Sequence, residues 1–175
     1  MTDRILDLDS IQAILEERAR DLARPVADVE DDGDVVEMAI VETGAERYAI
    51  DVFYLREVRA NPSVSALPAL PPVWAGLMNL RGALHPVLDL GAYLGSERRT
   101  DDDRFEVMVV EGRRLGLGLL VDRVVEVRRI RKVDVGAPVR GGAGVVSGVT
   151  PDLVSVIDME RLLGDPELVV KDGAA

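Results

Sequence analysis

An all-β body made of two copies of one unit is what this sequence predicts, and three observations predict it. From Val35 onward, short runs rich in Val, Ile and Leu alternate apolar with polar residues between Gly and Pro positions, the period-two pattern of strands separated by turns. Sliding the chain against itself by 69 residues lays Val41-Glu42 on Val110-Glu111, Val52 on Val121, and Glu57-Val58-Arg59 on Glu126-Val127-Arg128. The same offset lays Val87, Asp89, Leu94 and Gly95 on Val156, Asp158, Leu163 and Gly164 without a gap, and self-similarity of this kind marks a duplicated unit. The acidity, finally, is concentrated before the body: residues 1–37 carry 12 acids and 4 bases, residues 38–175 carry 20 and 17.

The first element in chain order is helical. Leu8, Ile11, Ile14, Leu15, Ala19 and Leu22 form one apolar stripe at helical spacing. Asp9 serves as N-cap with Gln12 reaching back, and Pro25 ends the helix, so residues 9–24 are an amphipathic helix that packs on the chain's own body or docks an additional partner. The stretch VADVEDDGD that follows has little to bury and is a linker. Residues 1–34 are thus a helical arm and an acidic linker.

A first hairpin comes next. Val36, Met38 and Ile40 alternate with Glu37 and Ala39, a turn lies at Thr43-Gly44-Ala45-Glu46, and Tyr48, Ile50 and Val52 alternate again. The second copy repeats it with Phe105, Val107 and Val109, a turn about Gly112, then Leu115, Leu117, Leu119 and Val121. Each copy continues through a strand ending in Glu-Val-Arg and a strand ending at Asp89 or Asp158, which cap short helices. Repeat 1 covers about residues 35–98, repeat 2 about 104–165, and 166–175 is a tail. A unit of about 65 residues is near the lower limit for an independent core. The two copies should therefore pack together, share segments, and leave between them a groove suited to a partner peptide.

Composition narrows the function. No cysteine is present and His85 is the single histidine, which excludes disulfides, thiolate chemistry and histidine-cluster metal sites. No Gly-x-Ser-x-Gly elbow or phosphate loop ending in Lys occurs. Gly141-Gly142-Ala143-Gly144 reads as a flexible loop and Asp101-Asp102-Asp103 as a solvated linker. The run Arg128-Arg129-Ile130-Arg131-Lys132 is the best argument for a nucleic-acid-binding small barrel, but an aromatic content of 3% leaves few stacking platforms. It is read as a charged strand edge. No apolar run reaches the ~20 residues of a membrane span, and acids occupy the N-terminus where a signal peptide carries bases. The expectation is a cytoplasmic protein with protein partners, no nucleic acid, no membrane insertion and no cofactor.

The stretch GLMNLRGALHPVLDLGAYLG, from Gly76 to Gly95, resembles the signature of CheW-like chemotaxis coupling proteins, with Leu67-Pro68-Ala69-Leu70-Pro71 as the proline-marked approach to its Asn-Leu-Arg-Gly turn. YAIDVFYLREVRA, LGLLVDRVVEVRRI and GVTPDLVSVIDMERLLG match further segments, so the resemblance covers about residues 35–165. It implies a mainly β fold of two five-stranded SH3-like β-barrels packed together, without catalytic activity. It also implies two partners: the regulatory domain of a chemotaxis histidine kinase and the cytoplasmic tip of a chemoreceptor. By the same resemblance Arg81 and Glu57 are partner-contact residues, Asn79 and Gly82 shape the turn that presents Arg81, and Val52 and Leu55 are apolar contacts in the groove. Two bland readings stand beside these: Arg81 pins its loop to backbone carbonyls, and Glu57 is an intrachain partner. A CheW-like scaffold for another signalling or motility pathway keeps the fold and changes the task. His85 departs from the family's apolar residue, Trp74 either covers a barrel end or anchors a partner, and the helical arm is longer than a minimal member needs.

Overall fold

The computed structural model describes residues 35–68, 70–96, 104–113, 116–138 and 144–168. The expected helix at 9–24, its linker, Asp101–Asp103, Leu115 and Gly141–Ala143 lie outside the described residues. Repeat 1 supplies β1 (Val35–Thr43), β2 (Glu46–Asp51), β3 (Leu55–Ala60), β4 (Val64–Ser65), β5 (Trp74–Leu80), β6 (Ala83–Asp89) and α1 (Leu90–Leu94). Repeat 2 supplies β7 (Glu106–Glu111), β8 (Gly116–Val121), β9 (Arg123–Arg131), β10 (Val146–Val149), β11 (Ser155–Ile157) and α2 (Met159–Leu163). The first hairpin closes at Thr43↔Glu46, with Gly44 at φ +61°. Asp89 caps α1 by accepting from the Ala92 N–H, and Asp158 caps α2 by accepting from the Arg161 N–H, each at 3.0 Å.

The two sheets do not follow the two repeats. One sheet runs β10-β11-β2-β1-β9, the other β3-β7-β8-β6-β5-β4. Each therefore combines a hairpin from one copy with the remaining strands of the other. β1 pairs antiparallel with β9 and β2 parallel with β11; in the second sheet β7 pairs antiparallel with β3 and β8 parallel with β6. The exchange is reciprocal, element for element.

Both sheets curl until their ends approach. After β9 the chain makes one 3-10 turn and bridges from Gly136 to Val149 of β10. After β3 the short β4 pairs with β5 at Val64↔Met78 and Ser65↔Leu77. The result is one barrel of five strands and one of five strands plus the two-residue β4. Three apolar cores follow. Met38, Ile40, Ala49, Ile130 and Val156 fill the first barrel, and Met78, Val87, Val107, Val109 and Leu120 fill the second. The largest lies between them and takes Ala39 and Val41 from β1, Met108 and Val110 from β7, and Leu117, Leu119 and Val121 from β8. Strands β1 and β7 thus bury both faces, one in a barrel and one in the seam. Trp74 and the 3-10 residue Leu168 belong to this seam as well.

Candidate functional site

The β5–β6 hairpin pairs Leu80 directly with Ala83, leaving Arg81-Gly82 as a two-residue turn. Both turn residues have positive φ, +52° and +89°, the geometry of a type I′ hairpin. Gly82 tolerates it freely; Arg81, with a Cβ, pays about 1–2 kcal/mol. Asn79 locks the turn, its Oδ1 accepting from the Gly82 N–H at 2.9 Å. A strained, non-glycine residue held at an exposed tip is the kind of cost that functional positions carry.

The guanidinium of Arg81 reaches Glu57 on β3, Nη2 to Oε2 at 3.2 Å, and Arg59 Nη2 lies 3.3 Å from the same oxygen. Strands β3 and β5 stand near opposite ends of their sheet, and curling through β4 brings the pair together. The Glu57 side chain is 17% exposed and that of Arg81 75%, so the carboxylate is largely covered while the guanidinium faces solvent with N–H donors to spare. Of the two bland readings, Glu57 does have an intrachain partner. Arg81 donates to that carboxylate rather than to a backbone carbonyl.

Val52 and Leu55 sit elsewhere than expected. They are 9% and 5% exposed and pack in the seam core, so neither presents its side chain to a groove. The cause is the single 3-10 turn at Val52–Tyr54, capped by Asp51, which accepts from the Phe53 N–H at 2.8 Å. In such a turn, positions three apart fall on one side, and here that side is the core. Phe53 is turned outward instead, 78% exposed, with Tyr54 edge-on at 5.2 Å between ring centroids. Sequence reasoning missed Phe53; the signal was Asp51, a capping residue that breaks the strand alternation. Leu84, 67% exposed beside the Arg81 turn on β6, is a second apolar knob.

The second copy builds the same device with its charges exchanged. Arg128 on β9, the counterpart of Arg59 at the duplication offset, holds Asp152 of the β10–β11 turn at 2.8 Å, and Glu126, the counterpart of Glu57, is 3.9 Å from Arg128. The Arg128 guanidinium first, then the Thr150 hydroxyl, hold the Asp152 carboxyl down to about 2. This pair stays ionised on acidification until close to that value. Leu153, at φ +63°, is the strained tip here.

His85 lies half-buried on β6 opposite Met78. Within the basic run, Arg129 pairs with Glu37 at 3.1 Å and Arg131 with Asp134 at 2.8 Å, while Ile130 turns into the first barrel. Among the described residues there is no cluster of metal-ligating side chains and no helix long and apolar enough to cross a membrane.

Comparison with known proteins agrees with this architecture. The family model described as a CheW-like domain matches residues 37–167. The chain is 33% identical over 91 residues to the probable chemotaxis protein CheW of Rhizobium etli, covering 52% of this chain and 59% of that one. It is 26% identical over 149 residues to the chemotaxis protein CheW of Klebsiella aerogenes, covering 79% and 88%. The crystal structure of scaffolding protein TtCheW from Thermoanaerobacter tengcongensis superposes with a TM-score of 0.63 at 27% identity, over 70% of this chain and 88% of that one. A shorter match, 37% over 68 residues, is to protein PilI of Pseudomonas aeruginosa, covering 39% and 38%.

Proposed function

The chain belongs to the CheW-like domain family, and on that footing we propose that it is a non-enzymatic adaptor coupling chemoreceptors to a histidine kinase in chemotaxis signalling. The observation that carries the reading is the Arg81–Glu57 pair on its strained turn. It contributes little to the cores, yet it holds a guanidinium open to solvent in one orientation. A fixed guanidinium recognises carboxylates and carbonyls of a partner surface. Phe53 and Leu84 supply the apolar area that such a surface needs.

The partners in this reading are the regulatory domain of the kinase and the cytoplasmic tip of a receptor. An additional partner would engage residues 9–24 through the apolar stripe of Ile11, Ile14, Leu15, Ala19 and Leu22. The protein works in the cytoplasm, with no nucleic acid bound and no membrane insertion. Similarity to PilI, a relative not named for chemotaxis, favours one second reading: the same scaffold serving a different signalling or motility pathway.

Arg81 separates adaptor from mere support. Replacing it by Gly relieves about 1–2 kcal/mol of backbone strain. Against that stand the chain entropy of glycine, about 0.5–1 kcal/mol, and an exposed ion pair of about 0–1 kcal/mol. The melting temperature of Arg81→Gly should therefore stay within a few degrees of the parent. Kinase activation in a reconstituted receptor–kinase assembly should fall at least about tenfold, and Arg81→Ala should lose activation likewise with its fold intact. A clear loss of stability with activation preserved would assign Arg81 to the fold alone. Phe53→Ser makes a parallel test: removing an exposed ring costs the fold under about 0.5 kcal/mol, so weaker receptor binding without a change in melting temperature is the expected result, and unchanged binding would remove Phe53 from the contact surface.

A further inference from the structure

Residues 51–54 read Asp-Val-Phe-Tyr, and the 69-residue offset lays Phe53 and Tyr54 on Asp122 and Arg123 of the second copy. The aromatic pair therefore occurs once, on one side of the duplicated body. Phe53 is 78% exposed, and the two rings meet edge to face at 5.2 Å between centroids. At that exposure a face of the phenyl ring is open to solvent.

Carboxylates surround the pair. Asp51 gives one acceptor to the Phe53 N–H at 2.8 Å, and a carboxylate has about four acceptor sites. Glu160, exposed on α2 of the second copy, accepts from the Tyr54 hydroxyl, which fixes its carboxylate beside the rings. Asp158, the cap of α2, holds Arg161 at 3.2 Å. Burial first, then the negative charge of Glu160, Asp51 and Asp158, pushes the Tyr54 hydroxyl above its usual value, so the field at this shelf is negative. Glu160 also rims an open cleft of about 360 Å³ with Val145, Arg161, Asp165 and Pro166. One carboxylate thus borders both an aromatic shelf and a concavity.

An apolar partner side chain seated on Phe53 would strip water from Asp51 and Glu160 with nothing to offset the loss. A cation reverses the sign, being attracted to the ring face and to both carboxylates. A guanidinium suits the shelf better than an ammonium, because it is planar, stacks on a ring, forks onto a carboxylate and is more weakly hydrated. We propose that the Phe53–Tyr54 shelf, with Asp51 and Glu160, binds an arginine side chain on the surface of a protein partner, the guanidinium lying on the Phe53 ring. Phe53 comes from one copy and Glu160 from the other, so the shelf exists only in the assembled pair of barrels. The inference rests on the reading of Phe53 as a partner contact and adds the chemistry of what touches it.

The probe is the acetylated and amidated pentapeptide Ala-Leu-Arg-Leu-Ala, titrated into the isotope-labelled full chain at low salt. The same peptide with citrulline for arginine is the uncharged control. The arginine peptide should shift the NMR amide signals of Phe53, Tyr54 and Glu160 saturably, and the citrulline peptide should leave them in place. Phe53→Leu, which keeps apolar area and loses the ring, should weaken the arginine peptide about two- to fivefold. Glu160→Gln should weaken it by a similar factor. Equal shifts with both peptides, shifts confined to other surfaces, or undiminished binding to Phe53→Leu would overturn the proposal. In the reconstituted receptor–kinase assembly, Phe53→Leu should couple less well than the parent. Coupling lost in Phe53→Ser but kept in Phe53→Leu would retain the adaptor contact and overturn the arginine shelf. Coupling untouched by either variant, with the peptide results as expected, would sustain the shelf and remove Phe53 from the adaptor contact.

Discussion

Cut within residues 99–103 and produced as two polypeptides, the protein should yield halves that are each unfolded and that fold on mixing. The reason is the reciprocal exchange of hairpins. Without repeat 2, β1 loses its whole ladder to β9, from Val35↔Arg131 to Glu42↔Arg123, and β2 loses β11. Without repeat 1, β7 loses β3 and β8 loses β6. What remains in either half is an isolated hairpin, marginal in water, and a sheet fragment whose apolar faces have nothing to cover them. The loss should equal the full stability of a domain, about 5–15 kcal/mol. Circular dichroism and amide dispersion of each half, and then of the equimolar mixture, read the result. A cooperative thermal transition in either half alone would show that a single copy suffices and that the exchange is incidental.

A single methyl group should open the second barrel. Gly76 of β5 has φ +141°, and a Cβ there would fall well inside van der Waals contact of the Ser65 carbonyl, where β4 closes the barrel. The obstruction is backbone, which cannot swing aside as a side chain can. Gly76→Ala should therefore cost about 3–5 kcal/mol, adding backbone strain to a lost closure. Gly82→Ala is the control: φ is +89° but nothing lies within 4 Å of the new Cβ, so the cost is the left-handed backbone alone, about 1–2 kcal/mol. Urea midpoints of the two variants give the comparison. Equal losses would show that β4–β5 contact does not hold the barrel closed. Because the Arg81–Glu57 pair depends on that closure, Gly76→Ala should also impair receptor–kinase coupling, whereas Glu57→Gln should do so with little change in stability.

The candidate site was legible in part, and the reason differs from residue to residue. Asn79, Arg81 and Gly82 enter the site through the family resemblance, and the turn they form is local, its chemistry written in adjacent residues. Glu57 was found through the family resemblance, but its meeting with Arg81 comes from barrel closure, which no local pattern encodes. The resemblance places Val52 and Leu55 in a groove as residues of one strand running up to Glu57. One capped 3-10 turn changes the side on which residues 52–55 emerge, burying those two and exposing Phe53.

The duplication, the hairpins at Gly44 and Gly112, the capping roles of Asp89 and Asp158 and the mainly β character all follow from the order of residues, because each depends on neighbours a few positions apart or on likeness between copies. Which copy supplies each strand does not follow from it. A repeat offset says which segments are alike, not which ones meet, and β1 could match β3 of its own copy as well as β9 of the other. The choice falls to the connections: three residues join β2 to β3 and Asp122 alone joins β8 to β9. The single residue is too short for the two-residue hairpin that would turn β9 back onto β8, and in both copies the strand after the connection lies in the other barrel. Burial of both faces of β1 and β7, and the charge pairs across each closed barrel, are consequences of that long-range choice.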